Sequence, residues 1–205
     1  MTSNKKKEFL ISIVFISAQY LAACIAILIL KKSLPQEYEF IEYLAFYLTV
    51  FAIPIFIFIR FYLKEKPLLW LRLHLSKIHV GIIVSAFIFV IFLLSHKFQF
   101  APQEYNKGFL LALSGACLAG LFEEIAFRGF YLKVFIQKLG FTKANILVSI
   151  MFAALHFAKI PSSGFIEIPI LFVFSLFMGY LYNQTHSLLN TILVHAVYNS
   201  VMLLF

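Results

Sequence analysis

Apolar residues run through this chain in long blocks, each closed by a short polar or basic break. Seven blocks approach the length a helix needs to cross about 30 Å of hydrocarbon. They are Phe9–Leu30, Ile41–Ile59, Ile78–Leu94, Phe109–Phe127, Ala144–Phe157, Ile168–Tyr182 and Leu188–Phe205. A backbone in lipid must satisfy its own hydrogen bonds, so each block is expected to be helical. The predicted fold is therefore an all-α polytopic transmembrane bundle of about seven spans, within a range of six to eight. The fifth block is the weakest by hydropathy, and Pro54 is expected to kink the second. Gly129–Gly140 reads as an interfacial helix, with Phe130, Val134, Phe135 and Leu139 on one side and Lys133 and Lys138 elsewhere. Arg60–Lys77 is basic and carries Trp70 and several leucines. It reads either as a second interfacial segment, held by apolar side chains and anionic lipid, or as a plain basic loop. No internal repeat, low-complexity stretch or appended soluble domain is visible, so a single membrane domain over residues 1–205 is expected.

Composition narrows the class. Of 205 residues 62% are apolar and 13% charged, with a mean hydropathy of +0.95. That excludes a soluble globular enzyme, a disordered tail and a secreted disulfide scaffold. The net charge is +8, but the basic residues are scattered between apolar runs and form no patch, so no nucleic-acid partner is expected. Their distribution sets orientation instead. Twelve of the 17 basic residues fall on one side of the seven spans: Lys5, Lys6, Lys7, Arg60, Lys64, Lys66, Arg72, Lys77, Arg128, Lys133, Lys138 and Lys143. Lys31, Lys32, Lys97, Lys107 and Lys159 fall on the other. The richer side is expected to be cytoplasmic, with the N-terminus inside and Phe205 outside. Leu21-Ala22-Ala23-Cys24 resembles a lipoprotein cleavage box, yet the apolar run continues past it to Leu30, which favours a retained first span. Cys24 and Cys117 lie inside apolar blocks and point to neither a metal knuckle nor a disulfide. The small size and the lack of a soluble extension point to a bacterial plasma membrane.

Chemistry concentrates in three blocks. The fourth ends in two adjacent carboxylates, Glu123 and Glu124, followed by Arg128. An ionised side chain at the membrane centre costs roughly 2.5–3.5 kcal/mol even on a lenient scale, so such residues are paired, face protein or water, or serve function. Glu124 and Arg128 stand four apart with the acid first, the favourable order for a helix ion pair. Glu123 points about 100° away around the helix and must find its partner on another span. Ala112, Ala116 and Gly120, with Gly115 and Ala119 beside them, form a small face that admits a close neighbour; plain packing is the simpler explanation of these residues alone. The fifth block supplies Phe152 and His156, and the seventh supplies His195 and Asn199, each pair four apart and on one helix face. At 1.5 Å per residue, Glu123, His156, His195 and Asn199 all fall between the inner third and the midplane of the membrane. They can therefore meet in one cavity open to the cytoplasm. His74, His79, His96 and His186 fall at interfaces or loops, and Glu37, Glu39 and Glu42 form a solvated outer cluster.

These residues resemble the CPBP family, also called ABI or type II CAAX prenyl endopeptidases. The family pattern is Glu-Glu-x-x-x-Arg, Phe-x-x-x-His and His-x-x-x-Asn, each on its own helix. Here it stands as Glu123-Glu124-Ile-Ala-Phe-Arg128, Phe152-Ala-Ala-Leu-His156 and His195-Ala-Val-Tyr-Asn199. The resemblance covers Phe109 to Phe205, which implies a catalytic core at 108–205 and family-variable N-terminal spans at 1–107, and it implies an intramembrane protease without a cofactor. On that reading Glu123 and His156 activate a water, His195 and Asn199 stabilise the oxyanion, and Glu124, Arg128 and Phe152 support the site. A desolvated carboxylate suits general-base work, and preorganised donors in a water-poor site suit an oxyanion. The alternative implied for the family is a zinc metalloprotease, with His156, His195 and Glu123 as ligands and a fourth position for water.

The expected partners are membrane lipids and a peptide or protein substrate; the oligomeric state is open. Substrate types implied by the resemblance are prenylated CAAX proteins, bacteriocin precursors and signal-peptide or sorting-tail remnants. Two other functions fit the composition. One is a non-enzymatic protein, for bacteriocin immunity or as a membrane scaffold. The other is a small transporter or proton relay, which the lack of inverted repeats and broken helices disfavours.

Overall fold

The computed structural model describes residues 3–30, 39–96, 107–159 and 167–204, and among these all regular structure is helical. The basic residues expected at 31, 32 and 97, and the carboxylate at 37, lie outside the described residues. Helix α1 spans Ser3–Leu30, so Leu21–Cys24 sit inside one uninterrupted helix with Ala23 buried. The second block is composite: α2 (Glu39–Phe46), a π-helical stretch Tyr47–Ala52, α3 (Ile53–Ile57) and a second π-helical stretch Phe58–Tyr62. A short α4 (Pro67–Trp70) leads to α5 (Ile78–Ser95). Then come α6 (Lys107–Glu124), a π-helical stretch Ile125–Leu132, α7 (Lys133–Leu155), a 3-10 turn His156–Lys159, α8 (Glu167–Thr185) and α9 (Leu188–Leu204). Five helical paths are long and apolar enough to cross a membrane, and α9 is a shorter apolar helix. The expected all-α bundle is the observed one, and the protein is an integral membrane protein.

Pro54 does more than kink the second span. It lacks an N–H and crowds the carbonyl of the residue four before it, Val50. The backbone widens into the π-helical stretch just ahead, and a side chain from α1 takes the released acceptors. Gln19 Nε2 donates to the Val50 carbonyl at 2.7 Å and the Phe51 carbonyl at 3.2 Å. Its Oε1 accepts from the Tyr131 hydroxyl at 2.9 Å. Gln19 thus links the two π-helical stretches nearest the centre of the bundle. Because Gln19 is buried, Gln19→Leu would strand a carbonyl and a phenol together. Its expected cost is about 1–3 kcal/mol, read as a lower unfolding midpoint in mixed micelles.

The fourth block runs on without a break through Ile125–Leu132 as far as Gly140, the residue at which the sequence ends the helix between the fourth and fifth blocks. The path breaks at Gly140, whose φ of 72° and ψ of 167° belong to a region essentially reserved for glycine. Before the break Phe130, Val134 and Phe135 are buried as expected, but Leu139 faces outward. After it the helix is enclosed by α1 and α8. That enclosure explains the low hydropathy of the fifth block. Asn145 and Ser149 are buried there, and Asn145 Nδ2 donates to the Leu176 carbonyl on α8 at 3.0 Å.

The Arg60–Lys77 segment is neither a free loop nor a long interfacial helix. Leu68, Leu69 and Leu75 face outward, while Leu71 is fully buried. Lys133 sits over the Trp70 ring at 4.4 Å and donates to the Trp70 carbonyl. The segment is tied to the α8–α9 turn. Leu188 N–H donates to the Arg72 carbonyl at 3.1 Å, Lys77 Nζ to the Gln184 carbonyl at 2.8 Å, and Ser187 Oγ to the His74 carbonyl. His186 accepts from Arg72 Nη1 at 3.2 Å. His74 and His186, unremarkable in the sequence, therefore belong to the clasp that seats α9 between α5 and α6.

Candidate active site

The chemistry gathers where α6 meets α9. A Cβ added to Gly120 would stand 2.8 Å from the Ala196 backbone nitrogen and 3.1 Å from its Cα. Only a glycine admits that approach, which sets Glu123 and Glu124 against His195. Gly115, on the same helix, would have nothing within 4 Å of an added Cβ, so the small face is not uniform in purpose.

Glu124 and Arg128 form the expected i, i+4 ion pair, with Nη1 donating to Oε1 at 2.8 Å and both side chains fully buried. The guanidinium also donates from Nη2 to the Ser175 carbonyl at 2.9 Å and to Ser175 Oγ at 2.7 Å. It lies 5.2 Å from the Phe152 ring centroid. A charge taken out of water needs this degree of pairing to be tolerated. Glu124 Oε1 accepts a further hydrogen bond, from His195 Nδ1 at 2.8 Å. The carboxylate thereby orients the imidazole, as an acidic residue does for a catalytic histidine in hydrolases.

Glu123 is 6% exposed and, among the described residues, makes no side-chain hydrogen bond within its own helix, in keeping with its angular position. Its Oε1 accepts from the Tyr47 hydroxyl on the second block at 2.8 Å. Its Oε2 faces His195 Nε2 at 3.8 Å. His195, 3% exposed, is therefore flanked by both carboxylates, one on each ring nitrogen. Phe152 packs edge-on to His195 at 5.8 Å and against the His156 ring at 4.8 Å. His156 is half-buried, and its Nδ1 lies 2.8 Å from the Phe152 carbonyl. A carbonyl only accepts, so Nδ1 carries the proton and Nε2 the lone pair in the neutral ring. Asn199 stands one turn from His195, half-buried, and donates from Nδ2 to the Ala116 carbonyl at 3.3 Å.

The structure thus brings Glu123, Glu124, Arg128, Phe152 and His195 into direct contact. It joins His156 through Phe152 and leaves Asn199 bonded to the α6 backbone. Among the described residues no three His, Cys, Asp or Glu side chains form a group able to hold a metal ion. His156, His195 and Glu123, the zinc set named above, are accordingly not gathered into one such group among the described residues. Two residues that complete the cluster are not singled out by the sequence. Ser175 holds Arg128, and Tyr47 holds Glu123. Ser175 carries the signal of a hydroxyl inside an apolar block; Tyr47 is one of ten tyrosines and carries none.

An apolar helical bundle with paired charges buried at its centre defines an integral membrane protein built around an internal polar site. Residues 105–201 match the family described as type II CAAX prenyl endopeptidase Rce1-like, and the matched segment contains all three motifs. No curated protein and no solved structure matches the chain. This segment, just under half of the chain, is similar to the CPBP family of intramembrane endopeptidases.

Proposed function

We propose that the chain hydrolyses a peptide bond of a membrane-associated substrate with a water activated by Glu123. The observation that carries this is the contrast between the two carboxylates. Glu124 is committed to Arg128 and to orienting His195. Glu123, at the same depth, has no cation bound on its own helix, and one of its oxygens is turned toward His195 beyond hydrogen-bond reach. In the reaction Glu123, with His156, removes a proton from water as the oxygen attacks the scissile carbonyl. His195, together with the Asn199 amide, stabilises the oxyanion that develops. Collapse of the tetrahedral intermediate breaks the C–N bond, and the proton taken from water passes to the leaving amine. Asn199 must release the Ala116 carbonyl to reach that position, a side-chain rotation that substrate binding would drive.

The same reading places the Arg60–Lys77 end, where Lys133 and Lys138 also gather, on the cytoplasmic side of a bacterial plasma membrane. Substrates would then be cut near that face. The exposed leucines of this end, beside Arg60, Lys64 and Lys66, suit contact with anionic lipid.

The test compares peptide termini in membrane and secreted fractions of cells carrying either the wild-type chain or Glu123→Gln. Gln keeps the shape of Glu and removes the base. Termini present with the wild type are expected to fall by about 10²–10⁴-fold in rate of appearance in the variant, the usual contribution of a general base. Identical termini at equal expression would overturn the proposal in favour of a non-enzymatic immunity or scaffold role.

A further inference from the structure

Tyr47 lies in the second apolar block, outside the segment matched by the family. Its hydroxyl nevertheless hydrogen-bonds Glu123, at 2.8 Å to Oε1, closer than His195 comes to Oε2. The phenol ring is held on several sides. It stacks on Phe122 at 5.8 Å and 16°, meets the edge of Phe46 at 5.2 Å, and lies 6.2 Å from Phe51. Phe122 immediately precedes Glu123, so one stack fixes the tyrosine ring and the carboxylate relative to each other. Tyr47 also opens the π-helical stretch whose carbonyls are held by Gln19. The backbone that carries the phenol is therefore pinned from α1, and through Gln19 to Tyr131 beyond Glu124 and Arg128.

A carboxylate with one oxygen bonded and one unbonded presents its two oxygens unequally. Without Tyr47, the polar neighbour left to Glu123 among the described residues is His195 Nε2 at 3.8 Å, too far for a hydrogen bond to set the rotation of the group. We propose that Tyr47 is the positioning residue of Glu123: by holding Oε1 it fixes the carboxylate plane and leaves Oε2 as the oxygen turned to His195 and to the attacking water. The catalytic part of this proposal rests on the endopeptidase reading; the contact does not. Positioning matters because a reacting group displaced by about 1 Å can lose 10²-fold in rate.

The experiment is Tyr47→Phe in the full chain, purified in detergent micelles beside the wild type and Glu123→Gln. Phe keeps the ring and its stack on Phe122 and deletes one hydroxyl. On a peptide spanning a terminus made by the wild type alone, kcat is expected to fall about tenfold with KM unchanged. The folded fraction should equal that of the wild type. The infrared carboxylate band of Glu123, identified by its loss in Glu123→Gln, is expected to shift in Tyr47→Phe. A band left at the wild-type position, or a loss of activity matched by a loss of folded protein, would overturn the proposal. Failure of the endopeptidase reading has a different signature, namely wild type and Glu123→Gln that yield the same termini. In that case the infrared band decides the Tyr47 contact by itself.

Discussion

Arg128→Met is expected to destabilise the protein by about 3–5 kcal/mol, the cost of breaking a buried pair by removing one partner. The guanidinium is fully buried and meets Glu124, the Ser175 carbonyl and Ser175 Oγ. Methionine fills similar space but leaves the buried Glu124 carboxylate with His195 as its remaining strong donor. The measurement is the unfolding midpoint in mixed micelles, made for Arg128→Met, Glu124→Gln and the double variant. The double variant is expected to be less destabilised than the sum of the singles, because it buries no lone carboxylate. Strict additivity would show that the pair is not coupled and that its buried geometry carries no weight. Activity should fall in all three, since each disturbs the hydrogen bond that orients His195.

Gly120→Ala is expected to lower the rate by about 10²-fold or more. One methyl group is added, but it would meet the Ala196 backbone at 2.8 Å, and a backbone cannot swing aside as a side chain can. The two helices must separate, and the gap between Glu123 and His195 opens with them. Gly115→Ala is the internal control, with nothing within 4 Å of the added atom and a better helix former at that position. The check is the ratio of the two variants in the terminus assay, with folded protein quantified in parallel. Equal rates for both would mean that the α6–α9 crossing does not set the site.

Much of this is readable in the residues. Hydropathy alone locates the helical blocks, because lipid imposes one backbone solution on every apolar run. The Glu124–Arg128 pair is readable since both residues share a helix and their spacing fixes their angle. The partner of Glu123 is expected on another span, but the pattern does not name it. Tyr47 is an aromatic in an apolar block, and nothing in a linear pattern says which of two neighbouring helices an aromatic hydroxyl will face. Arg60–Lys77 is readable as basic but not as a clasp, because its bonds involve main-chain groups that carry no residue signature. The π-helical stretches are equally silent. Gln19 and Pro54 are the accessible clues: a polar amide inside one span and an orphaned carbonyl in the next are complementary defects. The break at Gly140 is readable from the glycine itself; what the pattern hides is that the helix before it runs straight on from the fourth block through Ile125–Leu132.

The clasp between Arg72–Lys77 and the α8–α9 turn has a consequence for biogenesis. Synthesis proceeds from the N-terminus, so the α1 to α8 helices enter the membrane before α9, which carries His195 and Asn199. Until α9 slides into place between α5 and α6, Glu123 and Glu124 lack the imidazole they flank in the finished protein. The growing chain thus holds its charges without a completed site, and the docking that locks the bundle is also the event that arms it. On the proposed reading, a chain assembled in this order gains its activity only once its own fold is closed.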